Sequence, residues 1–271
     1  MPLIKGLQGI FGGEALGMLL LSELRAIGVQ GLRADCQTTR AGEVVPAATV
    51  AAIALSIRSV GMHPLITVAH ATQCRLLEPG DHVELGNEPD LVPMPPAEYR
   101  RRLLEFYAAV APMGLQVWAP AVSNLNQRGL EWLAATDPAT WPAGINVSIH
   151  WYPHGESPTT PHPGFRSRDH EVETLQRIIG RRPWLVSEFG YHTGNRATRW
   201  QRWLGIRRQW TEAQVAEFVE FEWQFWAHHG AVGAVLYQLN DGVSGDPIDR
   251  YGIRRADGLY KPVARTFGGT S

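Results

Sequence analysis

The feature that most constrains this chain is an alternation between short apolar or β-branched runs and longer amphipathic stretches. The runs read as eight strands: Ile4–Phe11, Gln30–Ala34, Leu65–Ala69, Val83–Gly86, Gln116–Ala119, Asn146–His150, Trp184–Ser187 and Ala234–Leu239. Between them, Gly13–Ile27 carries Leu16, Leu19, Leu20, Leu24 and Ile27 at helical spacing. Ala47–Val60 repeats that pattern, and Pro96–Val110 opens with a proline suited to a helix start. Glu171–Ile179 and Thr211–His228 are further helices, the latter with Thr211 and Gln214 spaced for a capping box. After the third and fifth strands the helical pattern is weak enough for single turns.

Strand–helix alternation along one chain implies a parallel sheet with right-handed crossovers. Eight strands favour a single (β/α)8 TIM barrel, expected to occupy 1–271 as one catalytic domain. The length of 271 residues sits near the roughly 250 typical of that fold. An open doubly wound sheet usually begins with a glycine-rich phosphate loop. Gly9-Ile10-Phe11-Gly12-Gly13 fits neither GxGxxG nor a P-loop.

With 25 basic and 26 acidic residues, no global field recruits nucleic acid or an anionic membrane. The most apolar stretch, Leu16–Leu24, is too short to span a bilayer. The N-terminus lacks the architecture of a signal peptide, although a secreted protein whose signal was removed would look the same. The two cysteines, Cys36 and Cys74, fit no metal-binding spacing and read as ordinary thiols, with a single bridge between loops as the alternative.

In a barrel of this kind, functional side chains sit at the C-terminal ends of strands. Polar residues collect there with regularity: Arg33-Ala34-Asp35 on the second strand, His70 on the third, Asn87-Glu88-Pro89 on the fourth. The sixth ends in His150-Trp151-Tyr152, the seventh in Ser187-Glu188-Phe189-Gly190, and the eighth carries Tyr237-Gln238. Glu88 and Glu188 each follow an apolar run, where a charge is expensive without a purpose. Two carboxyl groups converging on one mouth are what glycosidic bond cleavage requires. Each taken alone reads equally well as a rim ion-pair partner.

These residues, in type and order, make the chain resemble the retaining (β/α)8 glycoside hydrolases with catalytic glutamates on strands four and seven, most closely glycoside hydrolase family 5. The Asn-Glu-Pro and Ser-Glu-Phe-Gly segments are the most specific pieces. The stretch from Tyr251-Gly252-Ile253 through Asp257-Gly258 to Lys261-Pro262 resembles the end of such barrels. One position departs: the eighth strand has no tryptophan, leaving Tyr237 or Gln238 to contact the sugar. The resemblance implies a carbohydrate substrate, no cofactor, Glu88 as general acid/base and Glu188 as nucleophile. It implies that Arg33 keeps Glu188 ionised, that Tyr152 hydrogen-bonds it, and that Asn87 binds the sugar 2-hydroxyl. His70 and His150 would bind hydroxyls or orient the carboxyls. A second carboxylate nearby favours the protonated form of Glu88. The competing reading of Arg33 is a rim pair with Asp35, and of each histidine a structural role.

Ten tryptophans suit stacking on sugar faces. Trp118 and Trp151 are candidate platforms, with core packing as the competing reading. His150 and His154 have a helical metal spacing, but Trp151-Tyr152-Pro153 argues against a helix and no third ligand matches. The four prolines from Pro153 to Pro163 suggest a stiff cleft wall. Asn195–Trp210 holds five arginines and three tryptophans without an acid. It is either a surface helix packed on the barrel or a cleft segment that selects anionic glycans; single-stranded nucleic acid is a remoter ligand. An inactive carbohydrate-binding barrel and a metal-dependent barrel hydrolase are the alternative functions. Oligomeric state is left open.

Overall fold

The computed structural model describes residues 3–10, 16–153, 156–194, 209–241 and 250–268. Eight parallel strands close on themselves in chain order: β1 (Ile4–Ile10), β2 (Gly31–Asp35), β3 (His63–Val68), β4 (His82–Leu85), β5 (Gln116–Val122), β6 (Ile145–Trp151), β7 (Trp184–Phe189) and β8 (Gly233–Leu236). Among the described residues, the ring outside them consists of α1 (Met18–Ala26), α2 (Ala47–Ser59), α3 (Pro96–Val110), α4 (Gln127–Ala135), α5 (Arg168–Ile179) and α6 (Glu212–His228). Among the described residues, β3 and β4 are joined without an α-helix, by a 3-10 turn at Ala71–Cys74. The weak pattern after the fifth strand proves to be the nine-residue α4.

Local chemistry explains the helix ends. Pro96 opens α3, whose buried face repeats as Tyr99, Leu103, Phe106 and Val110. The Thr211 hydroxyl accepts from Gln214 N–H at 3.1 Å while Gln214 Oε1 accepts from Thr211 N–H at 3.0 Å, so the expected capping box is present. The first helix begins at Met18, later than the pattern suggested, because Gly17 is extended and offers no side-chain cap.

The strands alternate with period two. Leu32, Ile66, Val83, Val117, Val147 and Val186 face the helices in the main core. The opposite phase fills the barrel. Leu65, Trp118, Leu185 and Val235 form an apolar layer, and Gln8, Arg33, Thr67, Glu84 and Ser148 are polar residues of the same phase, all buried. Cys36 and Cys74 are both free and buried, so the bridge does not form; burial pushes each thiol up to about 12.

Candidate active site

Two backbone irregularities bring the glutamates together. On β7, Val186 pairs with Ile149, but Glu188, not Ser187, pairs with His150. Strict alternation from Leu185 would turn Glu188 outward; the bulge returns it to the barrel mouth beside His150. On the other side, Glu88 has φ 46°, an uncommon value for a residue with a Cβ. Its N–H donates to the Ala121 carbonyl at 3.1 Å, which anchors the turn to β5.

The two carboxylates have different surroundings. Glu188 receives the Arg33 guanidinium on Oε1 and the Tyr152 hydroxyl on Oε2 at 2.8 Å. Its side chain is 10% exposed. Glu88 is 27% exposed, and its Oε1 meets His150 Nδ1 at 3.1 Å. The same Nδ1 lies 3.6 Å from Glu188 Oε2. One oxygen from each carboxylate and an imidazole nitrogen lie within 4.8 Å of one another, the group of metal-competent side chains found among the described residues.

Arg33 is fully buried and held on several sides. Glu84 Oε2 accepts from its Nε at 2.8 Å and from Nη2 at 2.5 Å. Gln8 Oε1 accepts from Nη1 at 3.0 Å, and Asn87 Oδ1 accepts from Nη2 at 2.8 Å. Thr67 donates to Glu84 Oε2 at 3.0 Å. Arg33 therefore spans two carboxylates, and Asp35 turns instead to Gln37. Burial alone would raise the Glu84 carboxyl, but Arg33, His150 and hydrogen bonds from Ser187 and Arg33 hold it below its usual range. Burial alone would lower His150, yet Glu188 and Glu88 raise it above the ordinary histidine value.

Arg33, Asn87, Glu88, His150, Tyr152 and Glu188 are thus one connected cluster. Tyr237 flanks it, and the backbone N–H of Gln238 donates to the Tyr251 carbonyl at 3.4 Å. The Tyr237 ring packs edge-on to Tyr152 at 6.2 Å and to Tyr251 at 5.6 Å. Gly190 permits this packing: a Cβ there would lie 2.7 Å from the Tyr237 carbonyl and 2.9 Å from Tyr251 Cδ1. His70 is exposed and lines a cavity of about 700 Å³ that begins at Asn87 and runs toward α3.

Two candidate platforms lie elsewhere. Trp118 is buried in the apolar layer inside the barrel, where its Nε1 donates to His82 Nδ1 at 3.0 Å. Trp151 faces outward from β6 and is fully buried beneath the Arg168 guanidinium, 3.6 Å from its ring. Both are core residues in this structure: alternation turns Trp151 outward, and Trp118, which points inward, lies near the start of β5, in the layer below the mouth. His154 and most of Asn195–Trp210 lie outside the described residues. Glu84 and Gln8 were not singled out from the sequence, and Tyr251 was noted only as part of the closing segment, without a role in the site. Glu84 carries the same signal as the two rim glutamates, a charge inside an apolar run.

No protein-family profile matches this chain, and no curated protein matches it. Solved structures do. A family 39 glycoside hydrolase from Bacteroides cellulosilyticus WH2 superposes with a TM-score of 0.68 at 14% identity over 97% of this chain, which spans 62% of the length of that protein. A family 128 (subgroup II) endo-β-1,3-glucanase from Sorangium cellulosum gives a TM-score of 0.60 at 14% identity, covering 97% of this chain and 96% of that one. The catalytic domain of a Streptomyces sp. SirexAA-E mannanase gives 0.60 at 14% identity, covering 98% and 85%. At such identities the likeness is one of fold: this chain is a closed eight-stranded β/α barrel similar to those of glycoside hydrolases from several families.

Proposed function

We propose that the protein is a retaining β-glycoside hydrolase, with Glu188 as nucleophile and Glu88 as general acid/base. The observation that carries this reading is the asymmetry of the pair. Glu188 is buried against a cation and a phenol donor, an environment suited to a carboxylate that attacks while ionised. Glu88 is more exposed and reaches the same mouth. An oxygen of one lies within 4.8 Å of an oxygen of the other. That favours the roughly 5–5.5 Å separation of double displacement over the 6.5–9.5 Å of inversion.

In this mechanism a Glu188 oxygen forms a bond to the anomeric carbon as the glycosidic C–O bond breaks, and the Glu88 proton goes to the leaving oxygen. Glu88, now a carboxylate, then takes a proton from water, whose oxygen displaces Glu188 and restores both groups. Tyr152 and Arg33 hold Glu188 in line. The structural neighbours include an endo-β-1,3-glucanase and a mannanase, and polysaccharides are the substrates to try first. Membership of family 5 itself remains a resemblance of motifs. The test is hydrolysis of an aryl β-glycoside panel followed by proton NMR. The first-formed sugar should keep the β configuration; an α product would overturn the nucleophile assignment.

The shared reach of Glu88, His150 and Glu188 gives a metal-dependent hydrolase a specific footing. Against it, Arg33 and Tyr152 already donate to the two Glu188 oxygens, and the guanidinium repels a cation. Activity that survives excess chelator separates the two readings.

A further inference from the structure

β6 ends at Trp151, so side chains set the position of the Tyr152 backbone. Asn124 takes both of its polar groups: Nδ2 donates to the Tyr152 carbonyl at 3.0 Å, and Oδ1 accepts from Tyr152 N–H at 3.3 Å. His162 Nε2 meets the same carbonyl at 3.0 Å. A carbonyl oxygen only accepts, so Nε2 carries a hydrogen. Glu171 turns the ring that way. Its Oε1 accepts from the His162 backbone N–H and lies 3.1 Å from Nδ1, which tethers that side of the ring. Its Oε2 accepts from Trp151 Nε1 at 3.3 Å.

This dyad is buried and rigidly backed. Glu171 is 0% exposed and His162 is 6% exposed. Arg168 lies 3.8 Å from Glu171 through Nε, stacks on Trp151, and makes two bonds to Glu222 at 2.8 and 3.0 Å. A histidine that only filled space would not direct one ring nitrogen at a carboxylate and the other at a main-chain oxygen. The oxygen belongs to the residue whose hydroxyl holds Glu188.

We propose that His162, oriented by Glu171, is a positioning residue that acts through the Tyr152 carbonyl to hold the Tyr152 hydroxyl on Glu188; this rests on the hydrolase reading above. The phenol is a rigid lever, so a small backbone shift becomes a larger shift at the hydroxyl. A misplacement of about 1 Å near the reacting atoms is worth on the order of 10²-fold in rate.

The test is a double-mutant cycle read on an aryl β-glycoside. His162→Leu removes the donor, and His162→Gln offers an amide N–H in its place. Where the leucine variant does not fold, His162→Asn, too short to reach the carbonyl, replaces it. We expect the donor-less variant to lose about 10-fold or more in kcat with KM little changed, and the glutamine variant to recover most of the rate. In a Tyr152→Phe background the same donor loss should change kcat by less than about 2-fold, because the hydroxyl it served is gone. An equal loss in both backgrounds, or no loss in either, overturns the proposal. If the wild type cleaves no glycoside, the hydrolase reading fails, and crystal structures of the variants decide the positioning claim. The Tyr152 hydroxyl should move beyond about 3.5 Å from Glu188 without the donor and stay within it with glutamine. An unmoved hydroxyl overturns the claim.

Discussion

His150 and Glu188 stand opposite each other on β6 and β7 because the chain skips Ser187 in the pairing. That single bulge places an imidazole nitrogen between two carboxylates. Burial works against a charged His150, and the pull of Glu188 and Glu88 outweighs it, raising its pKa. A histidine with a raised folded pKa contributes stability that is full below its unfolded value of about 6.5 and lost as pH rises through the folded value. Thermal unfolding should therefore show the wild-type melting temperature falling as pH rises above about 6.5, with a flatter profile in His150→Gln. Parallel profiles for the two proteins would count against a charged His150.

Glu188→Ala should lose turnover on every glycoside, by about a thousandfold or more, because no covalent intermediate can form. Glu88→Ala should lose least with activated aryl leaving groups, which need little protonation. Added azide should raise its rate and give a β-glycosyl azide, detectable by mass spectrometry. Near-normal activity in Glu188→Ala would mean the pair is misassigned.

Glu84 lies beneath the site and anchors Arg33 through two bonds. Removing its charge leaves a buried guanidinium less well compensated. Glu84→Gln should destabilise the protein by about 3 kcal/mol near neutrality. The Glu84 pKa is lowered by the fold, so its contribution is present above its unfolded value and lost as pH falls through the folded one. The gap between wild type and Glu84→Gln should close in acid. Urea unfolding at neutral and acidic pH measures both.

Gly190 has no room for a side chain between Tyr237 and Tyr251. Gly190→Ala should displace this aromatic pair and lower kcat/KM by about 10-fold or more, with a loss of stability of about 1–3 kcal/mol from overpacking. Kinetics and thermal unfolding of one purified variant check both.

Cys36 and Cys74 are buried thiols held far above neutral pKa. Neither should react with a thiol reagent such as DTNB while the protein is folded, and both should react in guanidinium chloride. Rapid labelling of the folded protein would show that their cover opens.

The sequence by itself determined the barrel and the residues at its rim. Strand burial in an α/β fold demands apolar runs, crossover helices demand amphipathic ones, and eight repeats of the two patterns leave few topologies. Glu88, Glu188, Arg33, Asn87, His150 and Tyr152 were legible because polar residues at the ends of apolar strands are expensive and therefore conspicuous. Tertiary structure decided the rest. Whether Trp151 faced sugar or core depended on strand phase, and whether Trp118 did depended on its depth in the barrel; both are set by the pairing of neighbours. The inward turn of Glu188 depended on a bulge that no local pattern announces. Glu84 and His162 took their roles from partners 51 and 10 residues away, Arg33 and Tyr152. Hydrogen bonds act over about 3 Å of space, and the sequence records only distance along the chain.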